Sequence, residues 1–146
     1  MNRKNTEESL IKNIFHLANR VQAKGDTISS ELTIKQWFLL SSLYKEVSTD
    51  ASINNIAKNM AYTRQSTKKL VYNLEKEGYV DVKKSTKDKR SVSVIPTEKS
   101  HLFFKNHNDL LAELADELFN DIDDQELLIT YNVLLKMRNN ITEMEG

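Results

Sequence analysis

Apolar positions recur every three or four residues along most of the chain and switch to strict alternation in one short stretch. Leu10, Ile14, Leu17, Ala18 and Val21 share one face of a helix predicted over 6–24, with Ile11 and Phe15 beside it and Gly25-Asp26 at its end. Residues 27–32 connect it to a second helix, predicted over 33–47. Thr33 and Gln36 have capping-box spacing there, Leu32 and Trp37 are placed to staple the start, and Phe38, Leu40, Leu43 and Tyr44 follow. Ser48, Thr49 and Asp50 read as a turn. Ser52 opens a short third helix with Ile53, Ile56, Ala57 and Met60 as its stripe, and Ala61-Tyr62 is a tight connection to Thr63, a second N-cap. The fourth helix runs to residue 77. It turns Thr67, Leu70, Val71 and Leu74 inward and Arg64, Gln65, Lys68, Lys69 and Tyr72 outward, and Gly78 stands where a left-handed residue ends a helix.

The period then becomes two. Val80 and Val82 alternate with Asp81 and Lys83, and Val92 and Val94 with Ser91 and Ser93, which predicts a hairpin around a polar tip at 85–90. Pro96 closes it and Thr97 is placed to cap a fifth helix carrying Phe103, His107, Leu110, Leu111, Leu114 and Leu118 on one face. Asp121, Asp123 and Asp124 mark a break before a sixth helix over 125–142, striped by Leu127, Leu128, Tyr131, Leu134, Leu135 and Ile141. The expected fold is mostly α with a small β-hairpin wing.

A chain of 146 residues suits one domain. It has no cysteine, which excludes disulfides, thiolate metal sites and thiol redox sensing. The start lacks the apolar core of a signal peptide and no apolar run approaches the ~20 residues of a membrane span, so a soluble cytoplasmic protein without a membrane partner is expected. The formal net charge of zero hides a segregation. Residues 58–96 hold 10 basic and 4 acidic side chains, net +6, whereas residues 97–146 hold 4 basic and 11 acidic, net −7. A basic middle with an acidic counterweight is an electrostatic footprint for nucleic acid.

Two short helices joined by a tight turn, the second with a basic outer face, form a helix-turn-helix plan. Its second helix enters the major groove, so Thr63, Arg64, Gln65, Ser66, Lys68 and Lys69 are the candidate contacts. Arg64 can pair with guanine and Gln65 with adenine, while Lys68 and Lys69 suit phosphates. The adjacent hairpin carries Lys84, Lys87, Asp88, Lys89 and Arg90. Arg90 suits the negative potential of a minor groove, with Asp88 placed to hold its guanidinium. The plainer alternatives are a solvated helix face and a charged exposed hairpin.

The segments LTIKQWFLLSSL (32–43), SINNIAKNM (52–60), TRQSTKKLVYNLEKEGYV (63–80) and DKRSVSVIPTEKS (88–100), in this order between flanking helices, resemble the MarR family of winged helix-turn-helix transcription regulators. The Asp-x-Arg of the wing followed by a Thr-Glu-Lys helix start is the most specific match. Ser100 departs from the family's common glycine, and the wing lacks the proline and second arginine often seen before the aspartate. The resemblance implies one MarR-like domain over 1–146, with 31–96 as the winged DNA-binding part and 1–30 and 97–146 as dimerisation helices. It implies a homodimeric repressor on a pseudo-palindromic double-stranded operator, with Arg90 in the minor groove and a small-molecule effector bound between the two parts. Phe15, Trp37, Phe38, Tyr44 and Phe103 are candidates to line such a pocket, or are ordinary core.

Other chemistry finds no constellation. His16, His101 and His107 do not form a ligand set, no phosphate loop or nucleophile motif occurs, and neither metal, cofactor nor enzymatic activity is expected. A winged-helix module that docks an acidic protein is the alternative function. It keeps the fold and predicts no duplex preference.

Overall fold

A computed structural model describes residues 2–45, 51–107, 109 and 111–146. The described elements are α1 (Arg3–Gly25), α2 (Ile34–Lys45), β1 (Ala51–Ser52), α3 (Ile53–Met60), α4 (Arg64–Lys76), β2 (Val80–Lys84), β3 (Val92–Pro96), α5 (Glu98–Asn106), α6 (Ala112–Leu118) and α7 (Asp124–Glu145). The fold is mostly helical with one small antiparallel sheet, as the sequence pattern predicts. Val47 and the turn expected at Ser48, Thr49 and Asp50 lie outside the described residues, as does Leu110. No helix of the described residues is long and apolar enough to cross a membrane.

The helix starts follow the capping residues. Gln36 Oε1 accepts from the Thr33 amide at 2.9 Å and Thr33 Oγ1 accepts from the Gln36 amide at 3.3 Å, closing the capping box. Ser52 and Thr63 cap α3 and α4 by accepting from the amides of Asn55 and Ser66. Asn2 caps α1, which therefore starts three residues before the predicted boundary. Asp123 and Glu126 form a complete capping box on α7, so the aspartates read as a break also start the next helix.

α4 ends in a Schellman motif. The Tyr79 amide donates to the Leu74 carbonyl at 2.8 Å and the Gly78 amide to Glu75 at 2.9 Å, with Gly78 at φ 81. α3 ends in the same bonds, Tyr62 to Ala57 at 2.9 Å and Ala61 to Lys58 at 3.2 Å, but with Ala61 in the left-handed position at φ 53.

Three expectations change. The hairpin is part of a three-stranded sheet of order β1-β3-β2, since Ala51 pairs with Val94 and Ser52 with Ser93. A two-residue strand is too short to show alternation. Thr97 occupies the N-cap position of α5, but its hydroxyl donates to the Gly78 carbonyl at 2.6 Å and makes no cap bond. The fifth helix is interrupted at His107 (φ −123, ψ 41), whose ring stacks back on Phe103 at 4.4 Å and whose Nδ1 lies 3.0 Å from the Phe103 carbonyl. Phe103 before the break and Leu111, Leu114 and Leu118 after it keep helical phase in the sequence, so periodicity alone runs through it.

The core joins α2, α3, α4, the sheet and α5 through Leu39, Leu40, Ile56, Val71, Leu74, Val80, Val94 and Phe103. Along α1 only Gly25 is buried, and there a Cβ would overlap the Ile34 side chain. The chain divides into two compact units after Leu111. The second, containing α6 and α7, has no fully buried residue in either helix.

Candidate nucleic-acid interface

The outer face of α4 is solvent-exposed at Arg64, Gln65, Ser66, Lys68, Lys69 and Tyr72, while Thr67, Val71 and Leu74 are buried beneath it. Thr63 fixes where the helix begins. Its Oγ1 accepts from the Ser66 amide at 3.0 Å and its carbonyl accepts from the Thr67 hydroxyl at 2.9 Å. The far end is held as well. The carbonyls of Glu77, Gly78 and Tyr79 accept from Lys99 Nζ at 2.7 Å, from Thr97 Oγ1 at 2.6 Å and from the Ser100 hydroxyl. Ser100, the departure from the family's common glycine, is fully buried and makes that bond. The start of α5 therefore sets where the basic helix ends.

The wing tip is tied by its own side chains. Ser85, buried at 8 % exposure, accepts from the amides of Lys87 at 3.2 Å and Asp88 at 3.3 Å. Asp88 Oδ1 accepts from the Arg90 backbone amide at 2.9 Å, and the Asp88 carbonyl accepts from Ser91. Asp88 thus shapes the backbone under Arg90, and no described bond joins it to the guanidinium. An aspartate two residues before an amide satisfies that amide locally, as in an Asx turn, at less entropic cost than it could fix a long side chain.

Arg64 and Lys68 of α4, Asp88 and Arg90 of the wing, and Ser52 and Asn54 at the start of α3 line one hollow of about 350 Å³. Three cations from two elements thus converge on one space. Lys84, Lys87 and Lys89 are exposed on the wing outside it.

A second hollow, of about 470 Å³, lies on the other flank of α4 and takes in Lys35, Tyr62, Thr63, Ser66, Lys69 and Asn73. The Lys35 ammonium sits 5.5 Å from the centroid of the Tyr62 ring. Burial raises the Tyr62 phenol above its ordinary value. Lys35 was not among the sequence-derived candidates because it lies outside the basic middle of the chain.

Four of the five expected pocket residues, Trp37, Phe38, Tyr44 and Phe103, join one ring cluster through Phe104, which meets Phe103 at 5.7 Å, and Phe15 does not. Trp37 meets Phe38 at 5.2 Å and Phe104 at 6.2 Å, and Tyr44 meets Phe104 at 4.9 Å and His101 at 5.0 Å. Phe104, absent from the expected set, joins the rings. Phe103 is in the core, and Phe15 is 69 % exposed with no described ring contact. Trp37 Nε1 is buried without a hydrogen-bond partner among the described residues. Those residues hold no cluster of three or more histidine, aspartate or glutamate side chains able to bind a metal ion.

A capped basic helix, the short helix before it and an adjoining basic hairpin define a winged helix-turn-helix protein. Residues 32–92 match the MarR family, so this stretch is a MarR family domain. Transcriptional activatory protein BadR of Rhodopseudomonas palustris is 24% identical over 136 residues, which cover 90% of this chain and 78% of that protein. Among solved structures, a MarR protein from Peptoclostridium difficile has the same fold with a TM-score of 0.85 at 22% identity, covering 99% of this chain and 94% of that one. S. aureus MepR in complex with DNA gives a TM-score of 0.77 at 21% identity, covering 91% and 96%.

Proposed function

We propose that the chain acts in the cytoplasm as a homodimeric repressor on a pseudo-palindromic operator. Gln65 and Arg64 face base edges, Lys68 and Lys69 hold phosphates, and Arg90 follows the minor groove with Lys84, Lys87 and Lys89 alongside. The observation that carries this reading is the shared hollow of Arg64, Lys68 and Arg90. With Asp88 as its one carboxylate the hollow stays net positive, and a duplex backbone supplies anions to complete it. Gln65 lines neither hollow, which leaves it on the crest of α4, where a bidentate contact to adenine is made.

The homodimer is supported by the long terminal helices. α1 exposes Leu10, Ile11, Phe15 and Leu17, and α7 exposes Leu128, Ile129, Tyr131 and Leu134. Helices of this length draw most of their stability from a packed apolar face. A two-fold partner supplies such packing and sets two copies of α4 one DNA turn apart, ~34 Å. An effector is supported by the Trp37 indole, unpaired among the described residues and beside Phe38 and Phe104, since an aromatic ligand with an acceptor atom would satisfy both the ring surfaces and the N–H.

Titration of operator and random duplexes with variants tests the assignment. Arg90→Ala should weaken binding to both by a similar factor. Gln65→Ala or Arg64→Ala should relax preference at particular base pairs by ~1–3 kcal/mol each. Unchanged affinity and unchanged base preference in all three would defeat this docking.

A further inference from the structure

We infer that the hollow between α2 and α4 is a second phosphate site, in which Lys35 and Lys69 grip the DNA strand on the side of the recognition helix away from the wing. The inference rests on the DNA-binding reading and adds to it a site on α2, outside both the basic helix and the hairpin.

Position on α4 comes first. At 100° per residue, Arg64 and Lys68 occupy one edge of the exposed face and Ser66, Lys69 and Asn73 the other, with Gln65 and Tyr72 between them. The first edge borders the wing hollow and the second borders the α2 hollow. A helix ~10–12 Å across in a groove ~12 Å wide has a sugar–phosphate strand against each flank. On the wing side Arg90 adds to the cations of α4. On the other side the added cation is Lys35.

The charge balance of this hollow points the same way. Its lining holds two lysines and no carboxylate, together with the Ser66 hydroxyl, which accepts from Thr63 Oγ1 at 2.9 Å and keeps its own proton to donate, and the Asn73 amide. The wing hollow, by contrast, includes Asp88. Lys35 is the second residue of α2, whose first turn carries no acidic side chain. The Asp26 carboxylate accepts from the Ile34 amide at 2.8 Å and so already occupies the helix start, which leaves the two lysines as the charge of the hollow. No described carboxylate pairs with Lys35. Its ammonium instead rests over the Tyr62 ring, which holds the stem near Lys69 without neutralising the charge. A bound phosphodiester oxygen would face two ammonium groups at once.

A free organic phosphate or carboxylate shares this chemistry, so the test is run in chloride buffer that contains neither. The full chain and its Lys35→Gln variant are titrated with operator and random duplexes across a salt series. Lys35→Gln should lose affinity several-fold on both duplexes alike, and the slope of log affinity against log salt should shorten by about 0.9 per site. Lys35→Arg should restore both. Ethylation interference should lose one phosphate per half-site, on the flank opposite the wing. A Lys35→Gln protein with wild-type affinity and slope overturns the inference, and so does a loss confined to particular base pairs. A thermal melt of Lys35→Gln matching wild type keeps a folding defect from imitating the effect. Wild-type protein that binds no duplex would refute the parent reading, a result distinct from wild-type binding with an inert Lys35.

Discussion

Tyr79 shows how much one side chain settles at the junction between the basic helix and the wing. Its ring is buried, its hydroxyl donates to Glu31 at 2.9 Å, and Lys99 lies 4.3 Å from its centroid while reaching the Glu77 carbonyl. Burial, followed by the bond to Glu31 and the charges of Glu31 and Glu77, pushes the phenol up from 10.0 to about 12. The folded state therefore keeps the proton longer than the unfolded chain. The stabilisation is present in full below the unfolded value and disappears as pH rises from 10.0 to about 12. Tyr79→Phe should cost about 0.5–1.5 kcal/mol at neutral pH and should flatten this part of the alkaline loss. Denaturant unfolding of both proteins across that range measures it, and equal alkaline slopes would contradict the assignment. At the same scale, Ser85 was invisible as a wing residue because a serine at a polar tip looks like any other turn residue. Only the fold reveals that it gathers two amides beneath the cations.

Elements were legible in proportion to their local signals. The caps at Thr33, Ser52 and Thr63 and the stop at Gly78 act through neighbours in sequence, so spacing exposed them. The break at His107 and the strand Ala51–Ser52 depend on where distant residues lie, and nothing in period or propensity marks them. The candidate site divides the same way. The basic face of α4 follows from its period, whereas the convergence of Lys35 with Lys69 needs α2 folded against α4. The turn between α3 and α4 carries a prediction of its own. Ala61 occupies the left-handed position that Gly78 fills after α4, at φ 53, where an L-residue pays for its Cβ. Ala61→Gly should stabilise the protein by ~0.5–1 kcal/mol after the entropy of the added glycine is counted. Chemical denaturation reads this, and a lower midpoint in the variant would show that the Ala61 methyl makes packing contacts that outweigh the strain.

For the whole molecule, the buried core and most of the exposed apolar surface lie in different parts of the chain. The core is drawn from residues 32 to 103, and most of the exposed large apolar side chains are on α1 and α7. Charge follows a similar split, basic over 58–96 and acidic over 97–146. In the proposed dimer the apolar helices pair around the two-fold and both basic faces meet one duplex. Phe15→Glu or Leu134→Glu should then shift the protein toward monomer in sedimentation velocity and weaken operator binding far more than non-specific binding. A wild-type protein that sediments as a monomer at every concentration would refute the pairing.

Selection of bound duplexes from a random library at physiological salt tests the central claim most directly. Two copies of a cationic helix-and-wing face, held one turn apart, should enrich an inverted repeat whose half-site centres are separated by about 10 base pairs. A pool that enriches no sequence over random, or enriches a single asymmetric site, would contradict it.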